Sequence, residues 1–132
     1  MLQGGTEPQN SGVFVSASIA QTGVLPTGDN SLEFKAWASP TTTFSVSING
    51  NNLSLLNLGS GPNYTLYGAD ISAYAGSSGT LEFSANSQGA PSFLELDDIT
   101  FSTASVPEPN LAVLASLGGL AFAVYRRFTK QR

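Results

Sequence analysis

Residues 43–58 read TFSVSINGNNLSLLNL, and this stretch decides the fold class. Apolar and small polar side chains alternate at its start, in the order Phe44, Ser45, Val46, Ser47, Ile48. A period of two places the apolar side chains on one face of a strand, whereas a helix would need a period of about 3.6. Asn49-Gly50 tolerates the positive φ angles of a tight turn. We therefore predict a hairpin in which the chain turns through 49–52 and returns along 53–58.

The same pattern continues on both sides of this hairpin. Short runs rich in β-branched and aromatic residues are separated by clusters of Gly, Pro, Asn and Ser, which is typical of an all-β protein. DISAYAG at 70–76 is expected to form a turn or a single helical turn, with Ile71 and Tyr74 packed inward. Two packed antiparallel sheets are favoured, because a single open sheet would leave one apolar face in water. We predict a jelly-roll-like antiparallel β-sandwich over residues 11–102, with strands near 13–20, 31–38, 43–48, 53–58, 64–67, 80–85 and 93–102.

Composition excludes several chemistries. The 132 residues include no Cys and no His, which removes disulfides, thiolate metal sites, the commonest general base and every Ser-His-Asp arrangement. Residues 1–110 carry one Lys against nine acidic residues, a net charge of −8, and an acidic body repels a phosphate backbone. We predict a protein that is not an enzyme, needs no cofactor and binds no nucleic acid.

The first ten residues, MLQGGTEPQN, follow no regular pattern. They lack the positive charge and the apolar run of a secretion signal. We expect residues 1–10 to be disordered.

The end of the chain divides into three parts. Residues 103–110, TASVPEPN, form a linker, because two prolines prevent regular strand pairing. Residues 111–125, LAVLASLGGLAFAVY, carry no charge and would form a helix of roughly 22 Å, against roughly 30 Å for a bilayer core. On length alone this segment could also be a buried core helix, but its flanks favour a transmembrane helix with the β domain outside. The basic cytoplasmic tail would be 126–132, with Arg126, Arg127, Lys130 and Arg132 setting the orientation.

The order of these parts carries a resemblance to a known family. Val106, Pro107, Glu108 and Pro109, then a Gly-containing apolar run and a terminal Arg cluster, closely resemble the PEP-CTERM sorting signal. Proteins with this signal are exported by bacteria that make extracellular polysaccharide and are recognised by exosortase, a membrane-embedded peptidase or transpeptidase. The resemblance implies that the processing enzyme recognises the Pro-Glu-Pro element and that Glu108 supplies the charge that it recognises. It also implies a location in the cell envelope, or outside the cell after processing.

The body of the chain resembles carbohydrate-binding β-sandwiches. SFLELDDITFS at 92–102 is similar to the closing strand that precedes such sorting signals, and DISAYAG adds to the likeness. The alternative function is therefore a carbohydrate-binding module acting on extracellular polysaccharide. Trp37, Tyr64 and Tyr67 are the candidate ligand-binding residues, because flat aromatic faces complement the apolar C–H faces of sugar rings. The sequence pattern allows the Trp37 side chain to lie in the core or on the surface, and we expect it to lie in the core.

Asp97 and Asp98 are the candidate ligands for a structural Ca²⁺ ion, which binds oxygen atoms. Adjacent residues on a regular strand point to opposite faces, so these two carboxylates are not expected to form a close pair. No run of acidic residues has the spacing of a calcium-binding loop. The open alternative is a pair of solvated or hydrogen-bonded aspartates at a strand end.

Overall fold

The computed structural model describes residues 1–6, 14–89 and 92–107. The predicted membrane helix 111–125, the basic tail 126–132, Glu108 and Pro109 lie outside the described residues. Ten strands and one turn of 3-10 helix, at Ser72–Tyr74, make up the regular structure of the described part. The strands are β1 (Leu2–Thr6), β2 (Phe14–Val15), β3 (Ala17–Val24), β4 (Ser31–Ala38), β5 (Thr42–Ile48), β6 (Asn51–Asn52), β7 (Leu56–Gly61), β8 (Tyr64–Asp70), β9 (Ser78–Ser87) and β10 (Ser92–Ser102).

The strands form two sheets, and every strand pair in them is antiparallel. One sheet has six strands in the order β2-β1-β10-β4-β8-β7, and the other has four in the order β3-β9-β5-β6. Buried side chains from both sheets belong to one apolar cluster, including Leu32, Phe34 and Ala36 from the first sheet and Val46, Ile48, Phe83 and Ala85 from the second. The prediction of an all-β fold with two packed antiparallel sheets is confirmed.

Phe34 lies at the centre of this core and has no exposed surface. Its ring meets Phe83 of the opposite sheet edge to face, with ring centroids 5.1 Å apart. It also stacks on Tyr67 at 5.6 Å and meets the edge of Phe44 at 6.3 Å. Edge-to-face and offset-stacked pairs are the favoured arrangements of aromatic rings. This cluster therefore stabilises the packing of the two sheets by burying apolar surface and by the relative orientation of its rings.

Strand β4 alternates strictly between the two faces of its sheet. Its even-numbered residues Leu32, Phe34 and Ala36 are buried against the second sheet, and the outward positions are held by Glu33, Lys35 and Trp37. Because β4 lies in the middle of the six-stranded sheet, between β10 and β8, its outward side chains form the centre line of that sheet's outer face.

The predicted turn at Asn49-Gly50 is confirmed. Both residues have positive φ, 52° for Asn49 and 78° for Gly50, as a two-residue hairpin turn requires. The strands on either side pair Ser47 with Asn52 and Ile48 with Asn51.

The return strand of this hairpin is shorter than predicted. Pairing with β5 stops at Asn52, apart from one backbone bond of 2.8 Å from Leu53 N–H to the Val46 carbonyl. The following strand β7 pairs instead with β8 in the six-stranded sheet. A second tight turn at Pro62-Asn63 joins β7 to β8. Residues 56–58, which were predicted to pair with β5, therefore pair with β8 in this local hairpin.

The N-terminus differs from the expectation of disorder over residues 1–10. Leu2–Thr6 form β1, which pairs with β10 through Leu2, Gln3 and Gly4. Leu2 is partly buried against the core cluster, which gives the segment an apolar contact as well as backbone bonds. Residues 7–10 lie outside the described residues.

The segment DISAYAG forms the predicted turn. Ile71 is 1% exposed, and Tyr74 packs against the core cluster. The Asp70 carboxylate accepts a hydrogen bond of 2.9 Å from the Ser72 backbone N–H, which starts the 3-10 turn. This bond lowers the pKa of Asp70 below its ordinary value, because it stabilises the ionised form.

The chain after β10 runs along the outer face of the six-stranded sheet. Asn30 and Ser31 donate side-chain hydrogen bonds of 2.7 Å to the carbonyls of Thr103 and Ala104. Val106 is only 8% exposed and lies beside Gly68. A methyl group at Gly68 would lie 2.7 Å from Leu58 Cδ1 and 3.3 Å from Val106 Cγ1, so the missing side chain makes room for both residues.

The stretches 1–6, 14–89 and 92–107 contain no helix that combines the length and apolarity needed to cross a bilayer.

The hairpin turn predicts the effect of adding a methyl group at Gly50. Its surroundings are open, so the penalty of Gly50→Ala is conformational and should lower the free energy of unfolding by about 1 kcal/mol. Gly23 on β3 is equally open and has an ordinary φ, so Gly23→Ala is the matched control and should leave stability unchanged or slightly raised. Urea denaturation measures both variants. Equal effects at the two positions would contradict the turn geometry.

Candidate functional site

A groove of about 380 Å³ lies on the outer face of the six-stranded sheet. Aromatic, acidic, basic and amide side chains line it: Lys35, Trp37, Asn63, Tyr64, Glu95 and Asp97, with Met1 at the edge. Three neighbouring strands, β10, β4 and β8, and the turn before β8 supply most of these residues.

Strand register explains why these residues meet. Trp37 of β4 lies directly opposite Glu95 of β10, and Lys35 lies opposite Asp97. On the other side of β4, Lys35 lies opposite Leu66, two residues from Tyr64. Directly opposite residues in an antiparallel pair point to the same face, so the groove gathers side chains that are far apart in sequence.

Trp37 is on the surface, which corrects the expectation of a core position. Its exposed fraction is 44%. The inward positions of β4 are already taken by Phe34 and Ala36, so strict alternation turns Trp37 outward. Its ring packs against Phe93 of β10, with centroids 5.0 Å apart and planes inclined by 48°. This contact covers part of the indole, and a large part of Trp37 stays exposed to solvent.

The two tyrosines predicted with Trp37 lie on opposite faces of the sheet. Tyr64 is 38% exposed and lines the groove. Tyr67 is stacked on Phe34 inside the sandwich and meets the edge of Phe44 at 5.3 Å. A separation of three residues on one strand reverses the face, so Tyr67 belongs to the core and not to the groove.

Lys35 forms an ion pair at one end of the groove. Its ammonium donates a hydrogen bond of 2.5 Å to the Asp98 carboxylate and lies 5.0 Å from the centroid of the Tyr64 ring. The hydrogen bond to Asp98, and then the charge of Asp98, raise the pKa of Lys35 above its ordinary value. Lys35 therefore stays charged, and its charge is matched by a neighbouring carboxylate.

Asp97 and Asp98 do not follow the alternation expected of adjacent strand residues. Strand β10 has an irregularity between Asp97 and Thr100, and Asp98 has a φ of 50°. The Asp98 N–H donates a bond of 2.8 Å to the Asp97 carboxylate, while the Asp98 carboxylate reaches Lys35. The bulge thus brings both aspartates to the side of one lysine, where a regular strand would separate them.

The described residues do not assemble the predicted Ca²⁺ ligands into a larger cluster. Across residues 1–6, 14–89 and 92–107, no three acidic side chains are grouped closely enough to hold a metal ion. The carboxylates of Asp97 and Asp98 are hydrogen-bond acceptors for a backbone N–H and an ammonium group.

A second concavity, of about 370 Å³, lies between β3 and the end of β10. Its lining is mainly apolar and includes Ile19, Leu81, Phe83, Ile99 and Phe101, without a charged residue. Few groups in this cleft could bond the hydroxyls of a sugar. The groove on the outer face is the better candidate for a polar ligand, because it combines exposed rings with charged and amide groups.

No protein-family model matches this chain, and neither the curated proteins nor the solved structures give a match.

Among the polar residues of the groove, Lys35, Asn63 and Glu95 were not predicted as site residues from the sequence. Lys35 could have been predicted to lie near Trp37, because residues two positions apart on a strand point to the same face of the sheet. Glu95 and Asn63 depend on which strands flank β4 and in which register, and a single sequence does not contain that information.

Proposed function

We propose that the chain is an exported bacterial surface or extracellular-matrix protein whose ectodomain is a non-enzymatic β-sandwich of jelly-roll type. Residues 106–109 serve as a PEP-CTERM-like sorting motif read by an exosortase-type enzyme. Residues 111–125 form a single membrane-spanning helix, and 126–132 form the basic cytoplasmic end. The protein stays in the envelope or is released outside after processing.

The observation that supports this proposal is the order of the tail, with a Pro-Glu-Pro triplet, an uncharged apolar run and a cluster of basic residues. The packing of Val106 is compatible with it. Val106 is buried beside Gly68, whereas Pro107, the first residue of the Pro-Glu-Pro element, is exposed. A processing enzyme needs accessible extended backbone, which a Pro-containing segment provides.

Fractionation tests the sorting proposal on the full chain, expressed behind a cleavable bacterial signal peptide. We expect the chain in the membrane fraction without exosortase, and a shorter product when a cognate exosortase is co-expressed. Glu108→Gln should reduce the shortened product, because it removes the only charge of the motif. Glu82→Gln removes one carboxylate from β9 in the other sheet, away from Val106, and is the matched control. Recovery of the full chain in the soluble cytoplasmic fraction would contradict the proposal.

A second candidate function is carbohydrate binding by the displayed domain. The observation that favours it is the joint exposure of Trp37 and Tyr64 in one groove with hydrogen-bonding side chains. Large exposed aromatic rings are costly to leave in water, and sugar rings offer apolar C–H faces that cover them. The surrounding carboxylate and amide groups can bond the hydroxyls at the edge of the ring.

Glycan-array binding of the full chain tests this second function. Trp37→Ala should weaken any measured affinity by about tenfold, which corresponds to about 1.4 kcal/mol of lost contact free energy. Phe14→Ala is the matched control, because Phe14 is 45% exposed and lies on β2 outside the groove. Carbohydrate affinity that survives Trp37→Ala would remove the groove as the binding site.

A further inference from the structure

Acidic side chains outnumber basic side chains along the groove. Glu95 lies opposite Trp37, and Asp97 lies opposite Lys35, so two carboxylates follow each other along the same face of β10. Side chains two positions apart on a strand are separated by roughly 7 Å. Lys35 is the single basic side chain in the described part of the chain.

The charge of Lys35 is already compensated. Its ammonium is paired with Asp98, the only ion pair found among residues 1–6, 14–89 and 92–107. In the described structure Glu95 forms no ion pair, and Asp97 lies opposite Lys35 without forming an ion pair with it. The side chains that line the groove carry two negative charges, on Glu95 and Asp97, against the one positive charge of Lys35. This balance disfavours uronic acids, sulfated sugars and phosphates and favours a cation.

The cross-strand geometry fixes where the cation would lie. Glu95 and Trp37 are directly opposite, and such pairs have Cβ atoms about 5 Å apart. A sugar ring stacked on the open face of Trp37 therefore has its edge beside the Glu95 carboxylate. An ammonium group on that edge is attracted both by the carboxylate and by the indole π-system.

We propose that the groove binds an amino sugar with a protonated amine, of glucosamine type, its ring on Trp37 and its ammonium group between Glu95 and Asp97. This inference rests on the second candidate function, carbohydrate binding by the groove, and names its ligand class. The ammonium group distinguishes the ligand from neutral, N-acetylated and anionic sugars.

Titration calorimetry on the full chain in detergent tests the inference with three probes, at a pH of about 6, which keeps the amine of the glucosamine probe protonated. The probes are the β-1,4-linked hexamer of glucosamine, its fully N-acetylated form and an oligomer of a uronic acid. We expect the glucosamine hexamer to bind at least tenfold more tightly than the N-acetylated hexamer, and the uronate oligomer to give no measurable heat.

Variants separate a specific site from attraction to an acidic protein. Glu95→Gln combined with Asp97→Asn should weaken glucosamine binding about tenfold and leave the affinity for the N-acetylated hexamer unchanged. Asn at position 97 keeps the side-chain oxygen that accepts the Asp98 N–H. Asp29→Asn combined with Glu82→Gln removes two charges elsewhere, since neither residue lines the groove, and should change the affinity less than twofold.

Each other outcome has a definite meaning. Equal affinity for the amine and its N-acetylated form overturns the amino-sugar inference and leaves carbohydrate binding in place. Equal losses in the two double variants also overturn it, because they show unspecific attraction to the acidic body. Absence of binding to all three probes overturns the inference. Glucosamine binding that survives Trp37→Ala also overturns it, because it removes the groove as the binding site. The second candidate function fails if the glycan array shows no binding either.

Discussion

The packing of Phe34 between the two sheets is the constraint on which the rest of the structure depends. Its buried ring contacts Phe83 across the sandwich, and Tyr67 and Phe44 close around it. A one-residue shift of β4 would remove this ring from the core and bury charged neighbours in its place. The contact therefore determines which alternate residues of β4 point into the core and which point to the outer face.

The outer face combines the features relevant to function. Trp37 lies toward one end of β4 on this face, and Glu33 lies toward the other, opposite Gly68, where Val106 is packed. Four strand residues correspond to about 13 Å. Val106 and Trp37 therefore lie toward different ends of this outer face.

Much of the fold could be predicted from local patterns, and so could three residues that line the groove, Trp37, Tyr64 and Asp97, but not their assembly into one site. Alternation of apolar and polar residues predicted β4 over 31–38 with the same bounds as the structure, and Asn49-Gly50 predicted its turn. The separation of Tyr64 and Tyr67 by three residues already implied opposite faces, although the prediction grouped them. The neighbours of Trp37 depend on β10 lying beside β4, and the position of Asp98 depends on a bulge; both are tertiary effects that no short window of sequence records.

The most direct test of the account is the fluorescence of Trp37, the single tryptophan of the chain. An exposed indole beside Glu95 and Asp97 should emit at long wavelength and be quenched by small ions. Caesium should quench it more strongly than iodide, relative to a free tryptophan analogue, because the carboxylates concentrate cations and repel anions. A short-wavelength emission insensitive to both ions would place Trp37 in the core and contradict the groove.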